Sequence, residues 1–150
     1  MTLIGVISDT HGLLREEIKE LFKDCSMILH AGDVGRESVL EELRKFKPTV
    51  AVRGNVDYWA QSLKVKEIVE VQDKKILILH NIGELALDLK ENNTDIVIYG
   101  HSHKAAIKKE NGVLFFNPGS AGPQRFRLPI TAGLLKIEGG NVAAEIVALK

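Results

Sequence analysis

Cysteine is nearly missing from this chain: Cys25 stands alone. One thiol excludes an internal disulfide and a zinc site built on cysteines, and it fits a reducing compartment. Its simplest role is that of a small buried residue. An excess of either charge is missing too. Twenty Lys and Arg balance 20 Asp and Glu, for a formal net charge of zero. Such a chain is not built for broad electrostatic binding of nucleic acid, although a local charged site is compatible with neutrality. No apolar run approaches the length of a membrane span. No basic stretch precedes Leu3–Ile7, and Asp9 follows soon after, so this segment reads as a first strand and not as a signal peptide. The expectation is a cytoplasmic protein without membrane contact. Repeats, linkers and low-complexity segments are absent, and no Gly-x-Gly-x-x-Gly follows the first strand, which argues against a dinucleotide-binding domain.

What is present is 45% hydrophobic and 27% charged residues over 150 positions, the profile of one soluble domain with a sizeable core. Periodicity predicts a helix from about 13 to 23, with Leu14, Ile18, Leu21 and Phe22 on one face. A strand over 27–30 follows, then a helix from about Arg36 that stops before Pro48, then a strand over 49–52. This βαβαβ order predicts parallel pairing through right-handed crossovers. Beyond it the pattern changes. Segments 64–71 and 75–79 predict a hairpin around Gln72-Asp73, a short helix is expected over roughly 84–91 with Leu85 and Leu89 inward, and 95–99 reads as a buried strand. Asn111-Gly112 and Gly139-Gly140-Asn141 are hairpin signals between the later strands 104–109, 113–116, 131–138 and 142–149. The expected architecture is two mixed sheets packed together, with helices outside and polar loops gathered at one edge.

The strand ends carry the chemistry. The first runs into Asp9-Thr10-His11. Residues i and i+2 point the same way, so the carboxylate and imidazole converge beyond the sheet, at the edge where open α/β sheets bind ligands. Later segments stop on Asp33, Asn55, His80 and the pair His101 and His103. All seven are oxygen or nitrogen donors. Seven exceed the needs of one four-coordinate ion and suit two metals with a shared carboxylate. Two divalent ions against Asp9 and Asp33 leave a charge of about +2, a trap for an anion. Water bridging such ions loses a proton near neutral pH and becomes a nucleophile, and ions ~3.5–4 Å apart clamp a phosphoryl group. The chemistry expected is metal-assisted hydrolysis of a phosphoester.

The series Asp9-x-His11, Gly32-Asp33, Gly54-Asn55-x-Asp57, His80 and Gly100-His101-x-His103 resembles the calcineurin-like metallophosphoesterase superfamily. The chain length and Asn117-Pro118-Gly119-Ser120 resemble its small bacterial and archaeal phosphodiesterase branch. The resemblance implies a four-layer α/β/β/α sandwich. It implies one metal on Asp9, His11, Asp33 and His103, and a second on Asp33, Asn55, His80 and His101, with Asp33 bridging. Manganese is the first choice of ion, with iron, zinc or nickel as alternatives. Asp33, Asn55 and His101 would be catalytic, the latter two steadying developing charge. Two departures stand out. The superfamily often has a proton-donating His directly after the motif Asn, and this chain has Val56. Losing such a group costs roughly 10²–10⁴ in rate, so a modest enzyme favouring good leaving groups is expected. Asn81-Ile82-Gly83 also follows His80, where a Gly is usual.

Further candidates surround this set. His30 and Asp57 are read as supports behind the ligands or as structural residues. Arg53, Arg125 and Arg127 are candidate phosphate contacts, Arg125 because it closely follows the Asn117–Ser120 loop, while surface solvation is the preferred reading for any one of them. Asn117 and Ser120 either line the site or build a turn around Pro118-Gly119. The implied substrate is a small phosphodiester or nucleotide-like molecule, and a homodimer is the expected assembly. Two rivals remain: a phosphomonoesterase acting on a small metabolite, and a non-catalytic scaffold, since the same fold resembles the retromer scaffold subunit. Tyr58, Trp59 and Ile68 are the residues whose exposure would favour the scaffold.

Overall fold

A computed structural model describes residues 1–85 and 93–149. The chain forms β1 (Thr2–Ile7), α1 (Glu17–Leu21), β2 (Met27–His30), α2 (Glu37–Phe46) and β3 (Thr49–Ala51). It continues with β4 (Lys66–Val71), β5 (Lys74–Leu79), β6 (Ile96–Ile98), β7 (Ala106–Glu110), β8 (Val113–Asn117), β9 (Thr131–Glu138) and β10 (Asn141–Ala148). Two five-stranded sheets result, ordered β10-β9-β1-β2-β3 and β4-β5-β6-β8-β7. Both are mixed. β1, β2 and β3 run parallel and β9 pairs antiparallel with both β1 and β10, while β5, β6 and β8 run parallel with β4 and β7 antiparallel at the edges.

Strand periodicity decides the layers. Ile4 and Val6 of β1 pack with Leu29, Ile76, Ile78, Ile96, Ile98 and Phe116 in a core between the sheets. The alternate residues Ile7 and Ile28 face outward and join Ile18, Phe22, Val39 and Leu43 beneath α1 and α2. Gly5 makes room there, because a Cβ would lie 2.7 Å from the Phe22 ring. The outer face of the second sheet carries Leu77, Leu79, Val97 and Val113, with Ile82 and Leu85 against them.

The expected sandwich of two mixed sheets is therefore the observed fold, with α1 and α2 covering the first sheet; the helix expected over the second lies mostly outside the described residues. The first helix is shorter than periodicity predicts. It spans Glu17–Leu21 only, and the Arg15 side chain before it donates to the carbonyls of Ala121 and Gly122 at 3.2 and 3.1 Å. In the 84–91 segment a 3₁₀ turn, Ile82–Glu84, is seen, and most of the expected helix, including Leu89, lies outside the described residues. The turn between β4 and β5 has Gln72 and Asp73 both at positive φ, 48° and 67°, matching the right-handed twist of a hairpin.

The consequence for function is one edge. The parallel strands of both sheets end on the same side, and their loops carry Asp9, Asp33, His80 and His101. No helix among the described residues is long and apolar enough to cross a membrane.

Candidate metal centre

The two acidic loops leave the sheet side by side, because β1 and β2 stay paired as far as Ile7 and His30. Their backbones keep bonding beyond the strands. The Asp9 N–H donates to Gly32 O at 3.0 Å and the His11 N–H to Asp33 O at 2.9 Å. Each carboxylate is then pinned by one oxygen. Asp9 Oδ2 accepts from Ser8 Oγ at 2.7 Å and from the His101 N–H at 3.2 Å. Asp33 Oδ1 accepts from the Val56 N–H at 3.0 Å. Asp9 Oδ1 and Asp33 Oδ2 are left to face the histidines.

Three imidazoles, those of His11, His80 and His103, converge on those two oxygens, and the His101 ring stands against His80. His80 Nδ1 lies 2.8 Å from Ala31 O, which only accepts, so Nδ1 carries a proton and, in the neutral ring that would bind a metal, Nε2 holds the lone pair. That Nε2 stands 3.2 Å from Asp33 Oδ2 and 3.9 Å from Asp9 Oδ1. His11 Nε2 lies 3.6 Å from Asp33 Oδ2 and 3.7 Å from Asp9 Oδ1. His103 Nε2 is 3.4 Å from Asp9 Oδ1, and His101 Nδ1 is 3.3 Å from His80 Nε2. Ligand atoms of Asp9, His11 and His103, and likewise of Asp9, Asp33 and His80, fall within 4.8 Å of one another. The two groups share Asp9, whereas the family resemblance has Asp33 as the bridge; Asp33 Oδ2 reaches both sides too, at 3.6 Å from His11 Nε2 and 3.2 Å from His80 Nε2.

The donor set fits divalent cations. Asp9 Oδ1, His11 Nε2 and His103 Nδ1 are buried without a hydrogen-bond partner. Buried polar atoms seldom go unpaired, at about 1–3 kcal/mol each, unless something else occupies them. Burial pushes the Asp9 carboxyl up, but His11, Ser8, His80 and His103 outweigh it and hold it below the ordinary carboxylate range. Asp33 is likewise raised by burial, yet His80 and the Val56 N–H bring it down to about 2. Both are anions at neutral pH. His80 is raised, burial being overcome by Asp33 and Asp9, whereas burial keeps His103 lowered despite Asp9.

The backbone around these groups is strained. Asp9, His11, Asp33, His101 and His103 all have positive φ, at 56°, 45°, 55°, 73° and 64°. Outside glycine this conformation costs about 1–2 kcal/mol per residue, and it persists where the surroundings over-determine it. The motif glycines let the loops approach. A Cβ on Gly100 would lie 2.1 Å from Ser8 Oγ and 2.7 Å from Asp9 Oδ2, and one on Gly54 would lie 2.3 Å from Asp33 Oδ1.

The remaining candidates sort by what they touch. Asn55 is exposed and lines a cleft with His80, Asn81 and Arg53. Asp57 is buried, and its carboxylate accepts from the N–H groups of Val34, Gly35 and Gly54 at 3.2, 2.9 and 2.9 Å, tying the Asp33 loop to the Asn55 loop. His30 is fully buried. Its Nδ1 accepts from the Gly32 N–H and its Nε2 meets Thr10 Oγ1 at 3.0 Å, so it braces the two acidic loops as a neutral ring. Asn117 and Ser120 bond backbone and neighbours, not open space. Asn117 Nδ2 donates to Gly100 O and Ser102 Oγ, and Ser120 Oγ to Asp9 O. Arg125 is exposed and flanks His103 across a closed crevice. Ser8, Thr10 and Arg15 were not singled out from the sequence. Nothing in their spacing marks them, since each acts through a hydrogen bond that only the folded loops create.

Comparison with known proteins agrees with this geometry. The model of the calcineurin-like phosphoesterase superfamily domain matches residues 2–140. A protein of Methanocaldococcus jannaschii named "Probable metallophosphoesterase MJ0623" is 38% identical over 131 residues, 79% of this chain and 67% of its own. A second from that organism, named "Phosphodiesterase MJ0936", is 30% identical over 155 residues, 90% of this chain and 93% of its own. Among solved structures, Vps29 of Chaetomium thermophilum superposes with a TM-score of 0.81 at 22% identity, covering 97% of this chain and 95% of that one. That likeness bears on the fold alone.

Proposed function

We propose that this chain, which belongs to the calcineurin-like phosphoesterase superfamily, is a phosphodiesterase that works with two divalent metal ions. The observation that carries the reading is the pair Asp9 Oδ1 and Asp33 Oδ2, turned away from their hydrogen-bond donors toward the imidazoles of His11, His80 and His103. Asp9, His11, Asp33 and His103 would hold one ion, and Asp33, Asn55, His80 and His101 the other. Bound ions supply Lewis acidity toward a phosphoryl oxygen and a lowered pKa for water. Manganese is the first ion to try, with iron, zinc and nickel next.

The chain's own residues set the rest. His101 is exposed at the mouth of the site, and with Asn55 it meets the charge that develops on phosphate oxygens. Val56 offers its backbone N–H to Asp33 and has no side-chain proton for a leaving group. An aryl oxide departs without that proton more readily than an alkoxide, so aryl diesters should be hydrolysed faster than alkyl ones. The similarity to a protein named phosphodiesterase supports diesters over monoesters.

The test is hydrolysis of bis-p-nitrophenyl phosphate by metal-stripped protein, with and without added manganese, beside Asp33→Ala. Turnover that requires metal and vanishes in the variant supports the reading. Folded protein with no turnover on manganese, nickel, iron or zinc would sink it. A non-catalytic protein-binding role is the second reading. It is favoured by apolar side chains left in solvent, Tyr58 at 84% exposure and Ile68 at 51%.

A further inference from the structure

The loop after Ser120 turns over the residues Arg125-Phe126-Arg127-Leu128. The Leu128 N–H donates back to Arg125 O at 2.9 Å, closing a four-residue turn. Its two central residues, Phe126 and Arg127, sit at φ 54° and 59°. Positive φ at both central positions is the type I′ geometry, which normally demands Asn or Gly. A bulky aromatic there is an outlier, and such outliers gather at ligand-binding sites. The turn is also braced, with Gln124 Nε2 donating to Leu128 O at 3.2 Å and prolines at 123 and 129. It holds Phe126 at 90% exposure, the most solvent-bared large apolar side chain in the described chain.

The position of the turn gives the exposure a use. Arg125 and His103, one of the four imidazoles of the candidate centre, line the same closed crevice. Arg125 also lies close enough for its charge to act on His103. No acidic residue occurs between Gly122 and Lys136, so Arg125 and Arg127 stand without a local counter-ion in sequence. A guanidinium beside the metal-facing histidine suits a phosphate oxygen, and an exposed ring one residue on suits a flat aromatic group.

We propose that Arg125 and Phe126 select the substrate: a phosphodiester carrying a planar aromatic group, such as an aryl or nucleobase-bearing ester, on the side that does not leave. This rests on the phosphodiesterase reading. The guanidinium meets the diester anion and the ring stacks on the aromatic group. Stacking of this kind is worth about 5- to 100-fold in binding.

The experiment compares bis-p-nitrophenyl phosphate with methyl p-nitrophenyl phosphate, which share a leaving group and differ only in the retained ester. In manganese-loaded wild type, the aryl ester should have the lower KM. Phe126→Ala should raise its KM about 5- to 100-fold, with kcat and the methyl ester little changed. Arg125→Gln should weaken both esters. Calorimetric binding of diphenyl phosphate and dimethyl phosphate to the same loaded proteins supplies a readout free of turnover. Phe126-dependent preference for diphenyl phosphate in protein that hydrolyses neither ester would overturn the hydrolase reading and leave this selection standing. Normal turnover and binding in both variants would overturn the selection and leave the hydrolase standing. Sedimentation of Phe126→Ala at a lower mass than wild type, with substrate preference intact, would assign the ring to a subunit contact and also overturn it.

Discussion

Replacing Asp57 by Ala should cost the protein about 3–5 kcal/mol without removing a metal ligand. Asp57 is 1% exposed, and its two oxygens accept three backbone N–H groups, from Val34, Gly35 and Gly54. Hydrogen bonds to a charged group are worth roughly 1.5–3 kcal/mol each. Three of them sum above the figure given, but removal also relieves the desolvation of a buried carboxylate, and water reaches the donors nearest the surface. Urea denaturation of the metal-free protein reads the loss. With a slope of about 1–3 kcal/mol per molar, the midpoint should fall by roughly 2 M. Asp57→Asn should fall between wild type and Asp57→Ala, because its amide keeps one accepting oxygen and turns a donor on a donor. Manganese affinity should drop in both, since the Asp33 and Asn55 loops lose their shared clamp. A loss under about 1 kcal/mol in Asp57→Ala would refute the clamp.

Three further outcomes are expected. Burial lowers His30 to about 4 from an ordinary 6.5. Between those values the unfolded chain binds the extra proton and the folded one does not. Metal-free protein should therefore lose about 3 kcal/mol from this residue as pH falls from 6.5 to 4, and the difference in urea stability between wild type and His30→Gln should vary with pH only in that window. Gly100→Ala should destabilise by about 1–3 kcal/mol and weaken manganese binding, because its Cβ would meet Ser8 Oγ and Asp9 Oδ2, and an unchanged melting temperature would count against that crowding. Burial pushes the Cys25 thiol up to about 11, so iodoacetamide at pH 8 should label it in urea but not in the native protein, and prompt native labelling would contradict its buried place.

Much of the fold could be read from the sequence because the signals were local. The apolar runs at β1, β2 and β6 and the alternation in β10 are periodicities of the chain itself. The hairpins announced themselves through Asn111-Gly112 and Gly139-Gly140, residues that supply positive φ. The candidate ligands could be named because each lies in a loop that follows a strand, and Asp and His at that edge of an α/β sheet carry meaning before any contact is known. Helix α1 was the exception. Its periodicity extends back to Leu13, but the helix covers only Glu17–Leu21, and the backbone just before it, at His11 and Gly12, turns at positive φ and bonds to the Asp33 loop, contacts that no local rule contains.

Residue type and order by themselves determined a mixed two-sheet sandwich with acidic and imidazole donors at one edge. Only the tertiary structure decided what each donor presents. Ser8 and the His101 N–H take one oxygen of Asp9, the Val56 N–H takes one of Asp33, and Ala31 O fixes the His80 tautomer. It likewise placed Asn117 and Ser120 behind the backbone as braces, and turned Phe126 into solvent beside Arg125. The reason is physical: side-chain identity and strand period are properties of the chain, whereas a hydrogen bond between loops 90 residues apart exists only once both sheets have packed.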